Sequence, residues 1–140
     1  MPDSESEPAF SLPVRVYYED TDSGGVVYYA NYLKFMERAR SEWLRALGVD
    51  QAGLWRSERT QFAVVEAQVR YRKPARYDDL LDVSATVEGF RGASVSFRQE
   101  VRGQDGELLA SALIRAACLD SDSLRPRALP ERLLKELQRE

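Results

Sequence analysis

The clearest helical pattern in the chain covers residues 33–47. Apolar residues recur there at steps of three or four, which places them on one face of a helix: Leu33, Met36, Ala39, Trp43 and Leu47. The opposite face is polar and charged, with Lys34, Glu37, Arg38, Arg40, Ser41, Glu42 and Arg45. Gly48 follows directly, and glycine ends a helix in the left-handed conformation without a Cβ penalty. The pattern predicts one amphipathic helix that must bury its apolar face against a large surface.

The second half of the chain alternates with a period of two, as half-buried strands do. Residues 61–72 put Val65, Ala67, Val69 and Tyr71 on one face. Two further runs alternate in the same way: Leu81, Val83, Ala85 and Val87, then Val95, Phe97, Gln99 and Val101. Residues 108–119 are apolar on both faces, which predicts a central strand.

Three smaller elements complete the prediction. The stretch from residue 17 begins as a strand, residues 51–55 form a short helical turn, and residues 131–138 form a closing helix that starts after Pro130. The order is a strand, a long helix and then four strands joined by short antiparallel connections. It predicts an α+β fold in which an antiparallel sheet of about five strands packs on one helix. The edge strands of such a sheet are unpaired, so we expect edge-to-edge dimers.

The composition fits a single soluble domain of 140 residues, with 44% hydrophobic and 31% charged residues. No apolar run approaches the roughly 18 to 20 residues of a membrane span. Residues 1–10 are acidic and polar, unlike a signal peptide, and are expected to form a disordered tail before a domain at 11–140. The net charge of −3 argues against general nucleic-acid binding.

The chain contains one cysteine and no histidine. Cys118 cannot form an internal disulfide, which is compatible with a cytoplasmic location, and its apolar strand predicts a core position. With no histidine and one cysteine, the chain lacks the usual zinc ligands, so we expect no zinc site, no other metal and no cofactor.

Candidate chemistry lies in the bend at residues 20–25, which reads D-T-D-S-G-G. Glycines allow the backbone to approach a ligand closely. The helix that follows supplies unpaired N–H groups and the positive end of its dipole, which suit a carbonyl oxygen gaining negative charge. A neighbouring carboxylate could attack such a carbonyl or activate water against it. From spacing alone, the favoured interpretation is that Asp20, Asp22 and Ser23 only make turn and capping hydrogen bonds.

The surrounding run, V-R-V-Y-Y-E-D-T-D-S-G-G-V-V-Y-Y-A-N-Y-L-K-F-M-E-R-A-R, resembles the signature of the hot-dog-fold acyl-CoA thioesterases. It is most similar to the 4-hydroxybenzoyl-CoA thioesterase branch and, within it, to the Tol-Pal-associated bacterial enzymes. Y-R-K-P-A-R-Y-D-D, F-R-G-A-S and L-R-P-R-A-L-P also have counterparts there, so the resemblance extends from Leu12 onward. It implies a hot-dog fold, in which a five-stranded antiparallel sheet wraps one long helix.

The resemblance also implies roles for particular residues. The catalytic carboxylate is Asp22, and the backbone N–H of Tyr29 is the oxyanion donor. Gly25 and Val26 form the substrate-binding wall beside them. Arg125 and Arg127 correspond to arginines that hold the phosphates of coenzyme A, and ordinary surface arginines are the alternative at these positions. Arg91 is a third candidate, although Ala93 stands where one branch has a lysine.

The function implied is hydrolysis of acyl-CoA thioesters, with sites at the interface of a homo-oligomer, most simply a dimer of dimers. Many Tol-Pal-type members have a histidine where this chain has Tyr29, so any role that needs an imidazole is excluded here. The alternative is a hot-dog protein that binds an acyl or aryl ligand, or a partner, without catalysis. Retention of Asp22 favours the enzyme. The acyl group, and the choice between nucleophile and general base for Asp22, remain open.

Overall fold

The computed structural model describes residues 10–138, which form five strands and three helices. The strands are β1 (Phe10–Arg15), β2 (Thr60–Tyr71), β3 (Leu80–Arg91), β4 (Ser94–Arg102) and β5 (Leu108–Asp120). The helices are α1 (Asn31–Ala46), α2 (Gln51–Glu58) and α3 (Glu131–Gln138). The predicted tail lies outside the described residues except for Phe10, which already belongs to β1.

All five strands join in one antiparallel sheet of order β1-β3-β4-β5-β2. The α+β class with five antiparallel strands and one long helix is therefore confirmed. β5 pairs with β4 on one side and β2 on the other, so the strand that is apolar on both faces lies in the interior of the sheet. The middle strand is β4.

Two details of the predicted strands are wrong. The first strand ends at Arg15, and the chain from Tyr18 to Asp20 is a 3₁₀ turn, because Asp20 accepts a hydrogen bond from the backbone of Tyr17 and closes the chain on itself. β2 and β3 are consecutive in sequence but not neighbours in the sheet. Residues 72–79, which contain Pro74, cross from the β2 edge to β3 beneath the bend at residues 20–25.

The face that α1 buries is rotated from the predicted one. Tyr32, Phe35 and Leu44 are buried with Met36, Ala39 and Trp43, whereas Leu33 is 39% exposed and Leu47 is half-buried. The steps of three and four from Leu33 selected one edge of the buried face, while the curved sheet covers a wider arc that includes the aromatic residues. Trp43 packs edge-on against Phe97 of β4, with ring centroids 5.3 Å apart.

Arg40 was predicted on the polar face of α1 and is instead 91% removed from solvent, with a relative exposure of 9%. Its guanidinium donates from Nη1 to Oε1 of Gln99, which is fully buried in β4, across 2.8 Å. The neutral carboxamide gives the buried cation a hydrogen-bond acceptor, which a buried charge requires. In the sequence, the feature that indicates this contact is Gln99 itself, a polar residue at a core position of the alternating strand.

β2 is the outer strand on one side of the sheet, and most of its length is exposed. Val64 and Val65 are each 48% exposed and Tyr71 is 45% exposed. Of the face predicted to be buried, only Val69 is half-buried against the core in the single chain, and the prediction is wrong there for Val65, Ala67 and Tyr71. A bulge interrupts the pairing with β5 between Val64 and Glu66. An unpaired edge strand with exposed valines is a surface suited to pairing with another chain.

Candidate active site

The bend at residues 20–25 is the tip of a small hairpin that leads into α1. The backbone N–H of Asp22 donates to the carbonyl of Val26 across 2.9 Å, and that of Tyr28 donates to the carbonyl of Asp20 across 3.0 Å. Gly25 has a φ of +81°, a conformation that glycine adopts without strain. The crossing segment supports the hairpin from below, since the N–H of Val27 donates to the carbonyl of Ala75 across 2.8 Å.

The side chain of Asp22 is exposed at this tip. Its Oδ1 accepts a hydrogen bond of 2.9 Å from the backbone N–H of Gly24, which fixes the orientation of the carboxylate. Within residues 10–138, no donor is recorded for Oδ2. One oxygen is therefore held by the loop while the other is available to a substrate or a water molecule.

Asp20, the other carboxylate of the bend, has a structural environment. It is 5% exposed, and its Oδ2 accepts from the N–H of Tyr17 across 2.8 Å. Its Oδ1 accepts from Nδ2 of Asn31, the first residue of α1, across 2.9 Å. Both oxygens are thus used to attach the hairpin to the helix start. This agrees with the sequence-based interpretation of Asp20 as a residue that shapes the turn.

The N–H groups of Asn31, Tyr32 and Leu33 at the start of α1 donate to the carbonyls of Tyr28, Tyr29 and Ala30, so the helix start itself is satisfied and the free donor lies just before it. Ala30 precedes the helix with no side-chain cap, and the first turn contains no acidic residue. The Tyr29 carbonyl accepts from the N–H of Tyr32 and from the hydroxyl of Tyr71, the latter across 3.0 Å. For the Tyr29 N–H, no acceptor is recorded in the described part of the chain. This N–H lies at the positive end of a 16-residue helix, which is suited to an oxyanion.

Two tyrosines that the sequence patterns did not assign to the site hold its backbone in place. Tyr71 at the end of β2 bonds the Tyr29 carbonyl, and its ring also meets that of Tyr29 edge-on at 6.0 Å. Tyr32 accepts the N–H of Ala75 on its hydroxyl at 2.9 Å, and burial raises the pKa of this hydroxyl. Only the folding of the crossing segment against the helix start brings these groups together. Tyr28, which precedes Tyr29, is 46% exposed.

The predicted phosphate ligands lie far from this bend within one chain. Arg127 donates from Nη1 to the carbonyl of Glu58 at 2.6 Å and to Oγ1 of Thr60 at 2.8 Å, where β2 begins. Arg125 is exposed nearby, and its side chain has no partner recorded within residues 10–138. Because a strand rises about 3.3 Å per residue, the two ends of the 12-residue β2 lie about 36 Å apart. Tyr29 is at the other end.

The remaining predicted site residues are placed as follows. Gly25 is exposed at the bend and Val26 is half-buried beside it. Val26 forms a β-bridge with Arg76 of the crossing segment. Arg91 is exposed at the β3–β4 turn. Cys118 is fully buried in β5, which confirms a core position, and burial raises the pKa of its thiol.

Among the described residues, no cluster of potential ligands could hold a metal ion, and no helix is long and apolar enough to cross a membrane.

The five-stranded antiparallel sheet around one long helix, with an exposed carboxylate in the hairpin before that helix, is typical of the hot-dog class of thioesterase folds. Residues 24–110 match the model of the thioesterase superfamily. The chain is 43% identical over 129 residues to the acyl-CoA thioester hydrolase YbgC of Escherichia coli O6:H1 (strain CFT073), covering 92% of this chain and 96% of that protein. It is also 43% identical over 122 residues to the acyl-CoA thioesterase YbgC of Haemophilus influenzae, covering 87% and 89%. The chain belongs to the thioesterase superfamily.

Solved structures agree with this fold. A 1,4-dihydroxy-2-naphthoyl-CoA thioesterase from Synechocystis superposes with a TM-score of 0.85 at 23% identity, covering 92% of this chain and 95% of the other. A probable thioesterase from Bartonella henselae superposes with a TM-score of 0.82 at 34% identity, covering 87% of this chain and all of the other. The hot-dog fold expected from the sequence is therefore confirmed.

Proposed function

We propose that this protein hydrolyses acyl-CoA thioesters, with the Asp22 carboxylate and the Tyr29 backbone N–H as the reacting groups. The observation that carries the proposal is their placement in one hairpin. Oδ1 of Asp22 is anchored to the Gly24 N–H while Oδ2 has no donor among the described residues, and the Tyr29 N–H, two residues before α1, has no acceptor among them. The YbgC relatives, which are named acyl-CoA thioester hydrolases, support the same substrate class.

The chemistry follows from these two groups. The thioester carbonyl oxygen accepts the Tyr29 N–H, whose hydrogen bond and helix dipole stabilise the negative charge that develops on that oxygen. Asp22 either attacks the carbonyl carbon, forming an anhydride that water then opens, or removes a proton from an attacking water. The C–S bond breaks, the coenzyme A thiolate takes up a proton, and the acid is released. Both routes need the carboxylate in its ionised form.

A complete site requires two chains. The closed dimer that is simplest by symmetry has a two-fold axis, which pairs β2 with the partner's β2 in antiparallel orientation. That pairing brings the Thr60 end of one strand beside the Tyr71 end of the other. Arg125 and Arg127 then approach the partner's Asp22 and Tyr29, although about 36 Å of strand separates the two groups within one chain. The dimer thus joins the proposed phosphate ligands to the proposed catalytic groups.

We further propose a dimer of such dimers and a cytoplasmic location. Leu113 on the outer face of the sheet is 50% exposed beside the charged pairs Arg115–Glu66 and Arg98–Glu88, a surface on which two dimers can meet. A reduced, buried Cys118 is compatible with the cytoplasm.

The decisive test of the function is Asp22→Asn, a nearly isosteric change at an exposed position. Release of free coenzyme A should fall by about 10²- to 10⁴-fold, because both the nucleophile and the general base are removed. Circular dichroism and the unfolding midpoint should match those of the wild type. Turnover within a few-fold of the wild type would exclude Asp22. Tight binding of acyl-CoA without turnover by the wild type would favour the non-catalytic alternative.

A further inference from the structure

A cavity of about 130 Å³ lies between α1 and the sheet, open beside the N-terminal half of β2. Much of its wall is apolar, with Leu44 from α1, Phe62 and Val64 from β2, Phe97 from β4 and Leu133 from α3. Arg40 also lines this cavity. None of the bend at residues 20–25 contributes to it, so it is separate from the catalytic groups of its own chain.

Arg40 is the unusual member of this lining because its charge is buried without an ion-pair partner. Gln99 occupies one guanidinium nitrogen, and Nε2 of Gln99 is itself committed to the carbonyls of Met36 and Ser84 at 3.0 and 3.1 Å. Within residues 10–138, no carboxylate lies within ion-pair distance of Arg40, and no other acceptor is recorded for its five N–H groups. A guanidinium with spare donors therefore faces the cavity.

The charges around Arg40 favour an oxygen acceptor in the cavity. Burial lowers the pKa of Arg40 and the negative charge of Glu37 opposes that shift, but arginine remains charged in either case. Glu37 is exposed at the mouth of the cavity, where its Oε2 accepts a hydrogen bond from Ser41 across 2.6 Å. The apolar wall suits carbon atoms, and the spare N–H groups suit an oxygen atom among them.

We propose that this cavity holds the far end of the acyl group and that Arg40 selects acyl groups that carry an oxygen acceptor there, as a terminal hydroxyl or a carboxylate. This inference rests on the proposed thioesterase activity. The cavity, of about 130 Å³, opens beside β2 and can take carbon atoms of an acyl group along its apolar wall. Unsubstituted acyl groups leave the arginine donors unsatisfied.

The cavity serves the catalytic groups of the partner subunit. It borders Phe62 and Val64, which lie seven to nine residues from Tyr71, or about 23 to 30 Å along the strand. Antiparallel pairing of two β2 strands places that region beside the partner's Tyr71, which holds the backbone at the partner's Tyr29. An acyl group bound at the partner's bend can then enter this cavity.

The first experiment compares kcat/KM of the wild type for butanoyl-CoA, 4-hydroxybutanoyl-CoA and succinyl-CoA. At least one oxygen-bearing substrate should be preferred over butanoyl-CoA by about 10-fold or more, as expected for a hydrogen bond to a charged group. The comparison of 4-hydroxybutanoyl-CoA with succinyl-CoA shows whether Arg40 prefers a hydroxyl or a carboxylate. In Arg40→Met the ratio of kcat/KM between the preferred oxygen-bearing substrate and butanoyl-CoA should fall to about one. Arg45→Met, an exposed arginine on the same helix that does not line the cavity, is the matched control and should keep the preference.

The second experiment tests which chain supplies the cavity. Subunits carrying Asp22→Asn and Arg40→Met are co-expressed with different tags, and the heterodimer is purified. One of its two sites then combines the intact Asp22 of one chain with the intact Arg40 of the other. Activity towards the preferred substrate should return to about half that of the wild type. Activity no higher than the mean of the two variant homodimers would overturn the assignment across subunits.

The outcomes separate this inference from the function on which it rests. A wild type that hydrolyses all three substrates with equal kcat/KM overturns the role of Arg40 and leaves the thioesterase proposal intact, whether or not Arg40→Met folds. If the wild type hydrolyses none of these three substrates and no longer or aromatic acyl-CoA, both the role of Arg40 and the thioesterase proposal are overturned. Equal losses for all substrates in Arg40→Met, together with a lower unfolding temperature, would assign Arg40 a purely structural role and overturn the inference.

Discussion

At the scale of single residues, two carboxylates in one bend have different environments. Asp20 is buried and accepts hydrogen bonds on both oxygens, whereas Asp22 is exposed with one oxygen free. Burial with complete hydrogen bonding is typical of a structural role, and a partly satisfied exposed carboxylate is available for chemistry. We therefore expect different roles for two residues of the same type, which only their surroundings distinguish.

This difference predicts opposite behaviour of the two Asn variants. Asp20→Asn removes a charge-assisted acceptor at the helix start and should reduce the free energy of unfolding by about 1–3 kcal/mol. Its activity at a temperature where it is folded should exceed that of Asp22→Asn. Urea denaturation and thiol release measured on both proteins check this. If Asp20→Asn is as stable as the wild type but inactive, while Asp22→Asn is active, the two roles are reversed.

Cys118 gives a second prediction at this scale. Its thiol is fully buried and burial raises its pKa, so the fraction of reactive thiolate is small. The native protein should react with a thiol-specific chromogenic reagent only over hours, and one thiol per chain should appear on denaturation. Cys118→Ala should retain hydrolysis. Rapid reaction of the native protein, accompanied by loss of activity, would contradict a core position.

At the scale of elements, the segment after β5 carries two arginines with different surroundings. Arg127 bonds the end of α2 and the start of β2 and lies 3.5 Å from Oδ2 of Asp120. Arg125 is exposed, with no recorded side-chain partner in the described part of the chain. Of the two predicted phosphate ligands, Arg125 is thus the one with a free guanidinium.

We therefore expect the two alanine variants to differ. Arg125→Ala should raise KM for acyl-CoA several-fold with little change in kcat, because a phosphate contact far from the thioester is equal in ground and transition states. The KM of the wild type should also rise more steeply with ionic strength than that of the variant. A small thioester without the nucleotide should show no difference.

Arg127→Ala should mainly reduce stability, by about 1 kcal/mol, through loss of its bonds to Glu58 and Thr60. Thermal unfolding separates this effect from a change in KM. If neither variant changes KM for acyl-CoA, the nucleotide is held elsewhere, and Arg91 at the β3–β4 turn is the next residue to test.

At the scale of the whole molecule, the sheet ends at β2 with exposed valines, and the cavity and the arginines lie beside the same edge. The symmetric antiparallel dimer that we propose at this edge would cover the valines and complete two sites at once. The oligomer is thus part of the proposed active site.

A charge placed on the β2 edge should therefore remove activity by dissociation. Val65→Lys puts two lysines near the two-fold axis of the dimer, and edge lysines oppose strand pairing. Light scattering should show a species near 16.0 kDa at micromolar concentration, with greatly reduced hydrolysis. Phe90→Lys, an exposed apolar position in β3 away from this edge, should remain oligomeric and active. A stable, fully active monomer in either case would contradict shared sites.

The sequence by itself determined the elements that depend on local periodicity. The alternation in β3 and β4, the apolar run of β5, the closing helix at Glu131–Gln138 and the bend before the long helix all follow from patterns within about 15 residues. It also identified the bend as the candidate site, through the resemblance of residues 14–40 to thioesterases. The thioesterase superfamily and the hot-dog fold are confirmed, while the roles of individual residues remain predictions.

Only the tertiary structure decided which residues meet across the fold. The burial of Arg40 depends on Gln99, which is 59 positions away, and the support of Tyr29 depends on Tyr71, which is 42 positions away. Likewise, β2 pairs with β5 and not with β3, because residues 72–79 cross the fold between β2 and β3 instead of forming a hairpin. Helical periodicity assigned Arg40 to a polar face and left Leu33 on the buried one, because a local pattern contains no information on how far a curved sheet wraps around the helix. Contacts between distant segments depend on packing and are not visible in the spacing of either segment.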